Sequence, residues 1–328
     1  MKPAMNRTLG RSGIQVSAMG LGCWAIGGPF WRGDVAVGWG QIDDAESMRA
    51  IHRAIDLGIT FFDTADVYGA GHSERVLGRA LTGHRDQVVI ATKFGSTFDE
   101  ESKQITGSDA SPEYIRRACL ASLRRLNTEY IDLYQFHQGG YSLDQAPEVR
   151  DTLEQLVTEG KIRYYGWSTD DPERATLFAQ GKHCVSVQHQ MNVLSDAGPM
   201  VALCEQLGLA SINRGPLAMG LLTGKYKTGS RLAADDVRGD HSPAWMKYFQ
   251  DGQPNPEWLD KVRAVREILT SGGRTLVQGA LGWLWGRSEQ TIPIPGFKTA
   301  TQIKENCSSM QFGPLSKEQM QEIDTILR

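Results

Sequence analysis

Residues 60–94 read TFFDTADVYGAGHSERVLGRALTGHRDQVVIATKF. An apolar run over 60–65 ends among polar groups at Asp63, Thr64, Asp66 and Tyr68, and Gly69 and Gly71 then break the chain. Residues 72–81, HSERVLGRAL, carry helical spacing, and 87–94, QVVIATKF, form a second apolar run reaching Lys93. Strand, glycine turn, helix, strand is the βαβ unit, and apolar residues on both faces of each strand suit a buried parallel sheet.

The same unit recurs along the chain. Before it, 15–24 (QVSAMGLGCW) reads as a first strand and 44–58 as its helix, with Met48, Ile51, Ala54 and Ile55 on one face and Gly58 at the C-terminal cap. After it, strands are expected at 130–137, 161–168, 185–190, 209–213 and 291–296. Helices are expected at 111–126, 146–160, 171–181, 199–208, 256–273, 275–286, 299–310 and 317–327. Ser111-Pro112 and Asp171-Pro172 are helix-start signals. Eight strands, each followed by a helix, with one added helix before the last strand and another at the C-terminus, predict a closed (β/α)8 barrel. The competitor is an open doubly wound sheet. No composition break marks a linker, so 1–328 is read as one domain. Long connections follow the first strand (27–43) and the seventh (214–255), on the face where such barrels build their sites.

Composition narrows the function. The net charge is −3 with no basic stripe, which argues against a nucleic-acid partner. The N-terminal MKPAMNRTLGRSG lacks the apolar core of a secretory leader, and no window is apolar enough to span a bilayer. Cysteines 23, 119, 184, 204 and 307 are scattered, with no CxxC spacing, as expected of reduced core thiols in a cytoplasmic protein.

Four polar side chains fall at successive strand ends: Asp63 on the second strand, with Tyr68 just past it, Lys93 on the third and His137 on the fourth. Each alone has a bland reading, as a turn residue, loop aromatic, solvated amine or core histidine. Neighbouring barrel strands lie only about 4.8 Å apart, so together they converge. Lys93 needs a partner if buried, and Asp63 is the obvious one. A phenol ionises near pH ~10, and an adjacent ammonium is expected to pull that down, making Tyr68 a usable general acid or base. His137 would orient a carbonyl oxygen. None of these groups attacks a carbonyl carbon, so a cofactor is required. A metal-dependent hydrolase using His137, Asp63 and Asp66 is a further reading, which Lys93 beside them opposes; no metal site is expected.

Two glycine motifs are weighed. GLGCWA (20–25) matches a dinucleotide fingerprint, but Gly27-Gly28-Pro29 resists the helix the fingerprint requires. It is read as a tight turn where Gly22, Cys23 and Trp24 let a ligand approach the backbone. GLLTGKY (220–226) is one residue short of a phosphate loop. In PIPGFKTATQIKEN (293–306), Gly296, Lys298 and Thr299 precede a helix whose free amides would suit an anion; a plain capped surface helix reads equally well.

Asp63, Tyr68, Lys93 and His137, in the contexts FFDTADVYG, ATKFG and YQFH, resemble the catalytic tetrad of the aldo-keto reductase superfamily, over nearly the whole chain. The resemblance implies reversible NADP(H)-dependent reduction of aldehydes and ketones, with hydride passing from the nicotinamide C4 while Tyr68 delivers the proton. It implies that Ser168, Thr169 and Gln188 hold the carboxamide, Thr169 standing where the family has Asn. Arg214 replaces an aromatic that stacks on the nicotinamide. Gly215, Pro216, Leu217, Gly220, Leu222 and Lys225 would wrap the pyrophosphate. Lys298, Thr299, Gln302, Glu305 and Asn306 would meet the adenosine end, with Lys298 favouring NADP. Trp24, Phe30, Trp31, Trp39, Phe94, Tyr141 and Trp167 lie on or near the mouth loops, and Trp24 and Trp31 are the expected substrate contacts beside Tyr68 and His137. The family also contains NADP-binding potassium-channel β-subunits, whose role is regulatory; the alternative reading is a protein of that type. Oligomeric state is left open.

Overall fold

The computed structural model describes residues 5–327; the first four residues of the stretch read as leaderless, and the last residue, lie outside them. The barrel strands are β1 (Leu21–Gly22), β2 (Phe61–Asp63), β3 (Val89–Phe94), β4 (Ile131–Phe136), β5 (Ile162–Ser168), β6 (Cys184–Gln190), β7 (Ala210–Arg214) and β8 (Thr291–Pro293). Each pairs in parallel with the next. A parallel bridge from Gly22 to Gly296 brings the first beside the last. A Cβ at Gly22 would meet the Ile294 carbonyl oxygen at 2.9 Å, so glycine permits this closure. The architecture is the expected (β/α)8 barrel.

Ten helices surround the sheet among the described residues: α1 (Asp44–Asp56), α2 (His72–Ala80), α3 (Pro112–Leu126), α4 (Ala146–Thr158), α5 (Pro172–Ala179), α6 (Gly198–Leu207), α7 (Pro256–Thr270), α8 (Leu276–Arg287), α9 (Ala300–Phe312) and α10 (Lys317–Leu327). Their starts follow local chemistry. Asp43 accepts from the amides of Ala45 and Glu46, Ser111 from that of Tyr114, and Asp171 from that of Glu173.

The single strand expected over 15–24 is two elements. Gln15–Ser17 pairs antiparallel with Asn6–Thr8 and leaves the barrel to Leu21–Gly22. The resulting hairpin plugs one end, where Leu9 and Val16 join Phe61, Val89, Ala91, Leu133, Val185, Ile212 and Ile292 in a buried interior cluster. On β2, β3 and β4 the inward positions run from these apolar residues up to Asp63, Lys93 and Gln135. The barrel is therefore apolar at its floor and polar at its mouth.

The mouth carries structure without a local sequence signal. Trp31–Arg32 pairs with Val35–Ala36, and Trp31 also pairs with Gln104 of a hairpin, Ser96–Asp99 with Gln104–Ser108. The two long connections are joined by a bridge between Trp39 and Asp236 and by a 2.7 Å bond from the Val237 amide to the Gly38 carbonyl. The Arg238 guanidinium lies 4.4 Å from the Trp39 ring centre. Phe94 and Trp167, grouped in the sequence with the mouth aromatics, face outward and are fully buried against Phe136 and Phe178.

Candidate active site

Asp63, Tyr68, Lys93 and His137 come together at the mouth. Lys93 Nζ donates to Asp63 Oδ1 at 2.5 Å, to the Thr64 carbonyl at 2.7 Å and to the Tyr68 hydroxyl at 3.3 Å. Lys93 is fully buried and Asp63 nearly so. The Tyr68 ring meets His137 edge-on, with centres 5.9 Å apart, and lies nearly parallel to Trp24 at 5.8 Å.

The backbone explains this convergence. Thr64 and Asp66 donate their amides to the Ala91 and Lys93 carbonyls, carrying the strand pairing past Asp63. The His137 amide donates to the Phe94 carbonyl at 2.8 Å. Gly27 packs its backbone on Tyr68, where a Cβ would lie 2.9 Å from the Tyr68 carbonyl carbon. Ser73 donates to the Cys23 carbonyl and pairs with the Thr64 hydroxyl, tying α2 to the first turn.

Burial pushes the Tyr68 phenol up; the Lys93 charge opposes this, and Asp63 adds to the rise. The net direction is upward, against the lowering expected from Lys93, because desolvation is the larger effect. Burial works to lower the Lys93 ammonium, but Asp63 and Tyr68 together outweigh it, and Lys93 stays cationic. Burial, with the Lys93 and Arg214 charges, holds His137 well below the ordinary histidine value, so its ring is neutral at pH 7. The site therefore presents a protonated phenol beside a fixed cation and a neutral imidazole.

Gln135 precedes Phe136 and His137 in YQFH. It is fully buried, and its amide donates to Asp63 Oδ2 at 2.9 Å. Gln188 donates to the same oxygen at 2.7 Å and to Gln135 Oε1 at 3.3 Å. Both carboxylate oxygens are thus held, and Oδ1 is aimed at Lys93. Strand alternation is the signal for Gln135, since Leu133 and Gln135 share the inward face of β4.

The other expected positions lie at strand ends, on the connections that follow them and on α9. Gly22, Cys23 and Trp24 form the first turn; the Cys23 amide donates to the Asp63 carbonyl at 2.7 Å and Trp24 Nε1 to the Val37 carbonyl at 3.0 Å. Ser168 is buried, and Thr169 donates its hydroxyl to the Gly139 carbonyl. Arg214 pairs with Asp170 and donates to Gln190. In 215–224, Gly215, Ala218, Met219, Gly220 and Gly224 all have left-handed backbones, and the chain curls so that the Ala218, Gly220, Leu222 and Gly224 amides bond back to carbonyls within the segment. Pro216, Leu217 and Leu222 lie in this curl, and Lys225 follows it on the surface.

At the far end Lys298 Nζ donates to the Trp39 carbonyl, while Trp39 Nε1 is buried with no partner. Burial, with Arg238 and Lys225 nearby, lowers the Lys298 ammonium; Asp236 opposes. The amides before α9 are taken, in keeping with the capped-helix reading of 293–306 and not with the anion-site one. Gln302 accepts from Lys298 and Thr299, and Glu46 accepts from Ala300 at 2.9 Å. Thr299 and Gln302 cap the helix reciprocally, and Asn306 reaches the Gly296 carbonyl at 3.5 Å. Trp31 sits half-buried on the mouth sheet.

The five cysteines are buried and free. Among the described residues no group of three His, Cys, Asp or Glu side chains is placed to hold a metal, and no helix is long and apolar enough to cross a membrane.

A barrel with a buried lysine–carboxylate pair, a phenol and an imidazole at the strand ends has the makings of an enzyme that moves a proton at a carbonyl group. Residues 18–328 match the profile of the Aldo/keto reductase family, and the chain belongs to that family. The uncharacterized oxidoreductase YqkF of Bacillus subtilis is 36% identical over 321 residues, spanning 97% of this chain and 95% of that protein. The structure of the glycerol dehydrogenase AKR11B4 from Gluconobacter oxydans superposes with a TM-score of 0.81 at 31% identity, covering 100% of this chain and 96% of that one. An aldo/keto reductase from Klebsiella pneumoniae, solved in complex with NADP and acetate, superposes at 0.69 with 26% identity over 98% and 95% of the two chains.

Proposed function

We propose that the protein is an NADP(H)-dependent carbonyl reductase in which Tyr68 is the general acid. The carrying observation is the contact of Lys93 Nζ with both Asp63 Oδ1 and the Tyr68 hydroxyl. A bound nicotinamide dinucleotide supplies the hydride. Arg214, where the family has a stacking aromatic, would border the nicotinamide. Gln188, with Ser168 and Thr169 beside it, orients the carboxamide. The left-handed curl at 215–224 with Lys225 takes the pyrophosphate, and Lys298 the 2′-phosphate. Thr299, Gln302, Glu305 and Asn306 border the adenosine.

The proton chemistry follows from the electrostatics. Burial keeps the phenol protonated at neutral pH and so able to donate. As the proton leaves, the phenolate forms 3.3 Å from a fixed ammonium, which stabilises it where water would otherwise have to. The neutral His137 donates one N–H to the carbonyl oxygen without competing as an acid. Trp24 and Trp31 border the substrate, and the chain is read as one cytoplasmic domain.

The test is NADPH consumption with 4-nitrobenzaldehyde by the wild type and by Tyr68→Phe. Loss of a positioned proton donor costs about 10²–10⁴-fold in kcat. NADPH affinity is expected to stay intact, and wild-type turnover by the mutant refutes the acid role. NADPH binding without turnover across a broad carbonyl panel would instead favour the regulatory reading.

A further inference from the structure

We propose that Trp245 is a specificity-determining residue: with Trp24 it forms an aromatic wall at the substrate opening that selects flat, aromatic carbonyl compounds. The inference deepens the reductase reading and rests on it.

Trp245 is 56% exposed, and only Leu120 and Ile326 are also exposed large apolar side chains among the described residues. Its ring centre lies 6.2 Å from that of Trp24, tilted by 44°. Trp24 in turn lies 5.8 Å from Tyr68, nearly parallel, and 5.3 Å from Trp39, edge-on. An unbroken aromatic surface therefore runs from the proton-donating phenol to solvent. Trp245 is its outer member.

The exposure is built in by neighbours that are pinned. Met246, Tyr248 and Phe249 are buried immediately after it. The Tyr248 hydroxyl accepts from Asn192 at 3.0 Å and from Gln190 at 3.2 Å, and the Met246 amide donates to the Pro243 carbonyl at 2.8 Å. Upstream, the Val237 amide is bonded to Gly38. A segment that buries three large side chains in four positions leaves the largest one out in water, beside the catalytic opening. Leaving an indole exposed forgoes the favourable burial of a large apolar surface. A flat ring entering toward Tyr68 recovers that burial and stacks on both tryptophans. A short aliphatic aldehyde reaches the phenol without spanning the wall.

The experiment compares steady-state reduction of 4-nitrobenzaldehyde and butanal, with NADPH, by the wild type, Trp245→Ala and Trp245→Phe. One aromatic contact corresponds to roughly a three- to ten-fold change in KM. Trp245→Ala is expected to raise KM for 4-nitrobenzaldehyde by that factor. Its kcat, its parameters for butanal and its NADPH dissociation constant should stay unchanged. Trp245→Phe should keep most of the aromatic preference, and it carries the test if the alanine variant does not fold. An equal KM change for both aldehydes, or no change for either, overturns the inference while leaving the reductase intact. Wild-type enzyme that binds NADPH and reduces neither aldehyde overturns the reductase reading, and this one with it.

Discussion

Lys93 shows how much one side chain can be asked to do. It is fully buried, yet its ammonium stays charged because Asp63 Oδ1 and the Thr64 carbonyl hold it. Its charge is the main influence lowering the Tyr68 phenol. Replacing it with Met removes that influence and leaves Asp63 buried and unpaired, so the phenol rises further. Alcohol oxidation requires the phenolate. Its pH–rate profile in Lys93→Met is therefore expected to shift to higher pH and its neutral-pH rate to fall, while folding loses about 3–5 kcal/mol. An unchanged oxidation profile refutes the electrostatic role. Lys298 gives a second residue-level expectation. Its ammonium, bonded to the Trp39 carbonyl, is the cation we propose to meet the 2′-phosphate. In Lys298→Ala, fluorescence titration should show NADPH binding weakened by about ten-fold or more, a charge-assisted bond being worth roughly 1.5–3 kcal/mol, with NADH nearly unaffected. Equal losses place the 2′-phosphate elsewhere.

At the scale of elements, the turn after β2 is what converts a strand end into a site. Gly69 has φ +61°, and a Cβ there would land on the Gly27 carbonyl oxygen. The two turns touch backbone to backbone, and Tyr68 is seated by that contact. Gly69→Ala adds a left-handed cost of about 1–2 kcal/mol to a main-chain clash that no rotamer relieves. The midpoint of thermal unfolding should drop, and the folded fraction should lose most of its kcat. Retained activity would mean Tyr68 is seated by other contacts. The β2–α2–β3 unit was readable in the sequence because its apolar runs, glycines and polar ends lie within one stretch. Elements with non-local partners were not. Ser17 turns away from the barrel because it pairs with Asn6, and Trp31 pairs with Gln104, seventy-three positions on, in strands of two to five residues. Gln135 and Trp245 escaped for the same reason. The partner of one is a carboxylate two strands away, and the neighbour of the other is a tryptophan on the first turn. Amide groups before α9 looked free because Glu46, which covers one of them, comes from α1.

The whole molecule carries the site's electrostatics as a dependence of stability on pH. His137 and His189 are both held below the ordinary histidine value by burial, His189 at about 4. Below pH ~6.5 the unfolded chain binds protons that the folded one refuses, so stability falls as the solution is acidified through that range. Asp66 acts in the opposite sense. It is buried, its Oδ1 has no partner, and burial with the nearby Glu74 charge raises it well above the carboxylate range. The folded state then holds a proton that the unfolded state releases above pH ~3.9, so the cost of Asp66 grows as pH rises and vanishes at low pH. Asp66→Asn keeps the shape and removes the titration. Urea unfolding should find the variant more stable than the wild type by about 1–3 kcal/mol at pH 8, with the gap closing toward pH 4. A gap that is the same at both pH values would show that Asp66 is ionised and satisfied in the fold, and that the carboxyl beneath the Tyr68 turn is not strained by its burial.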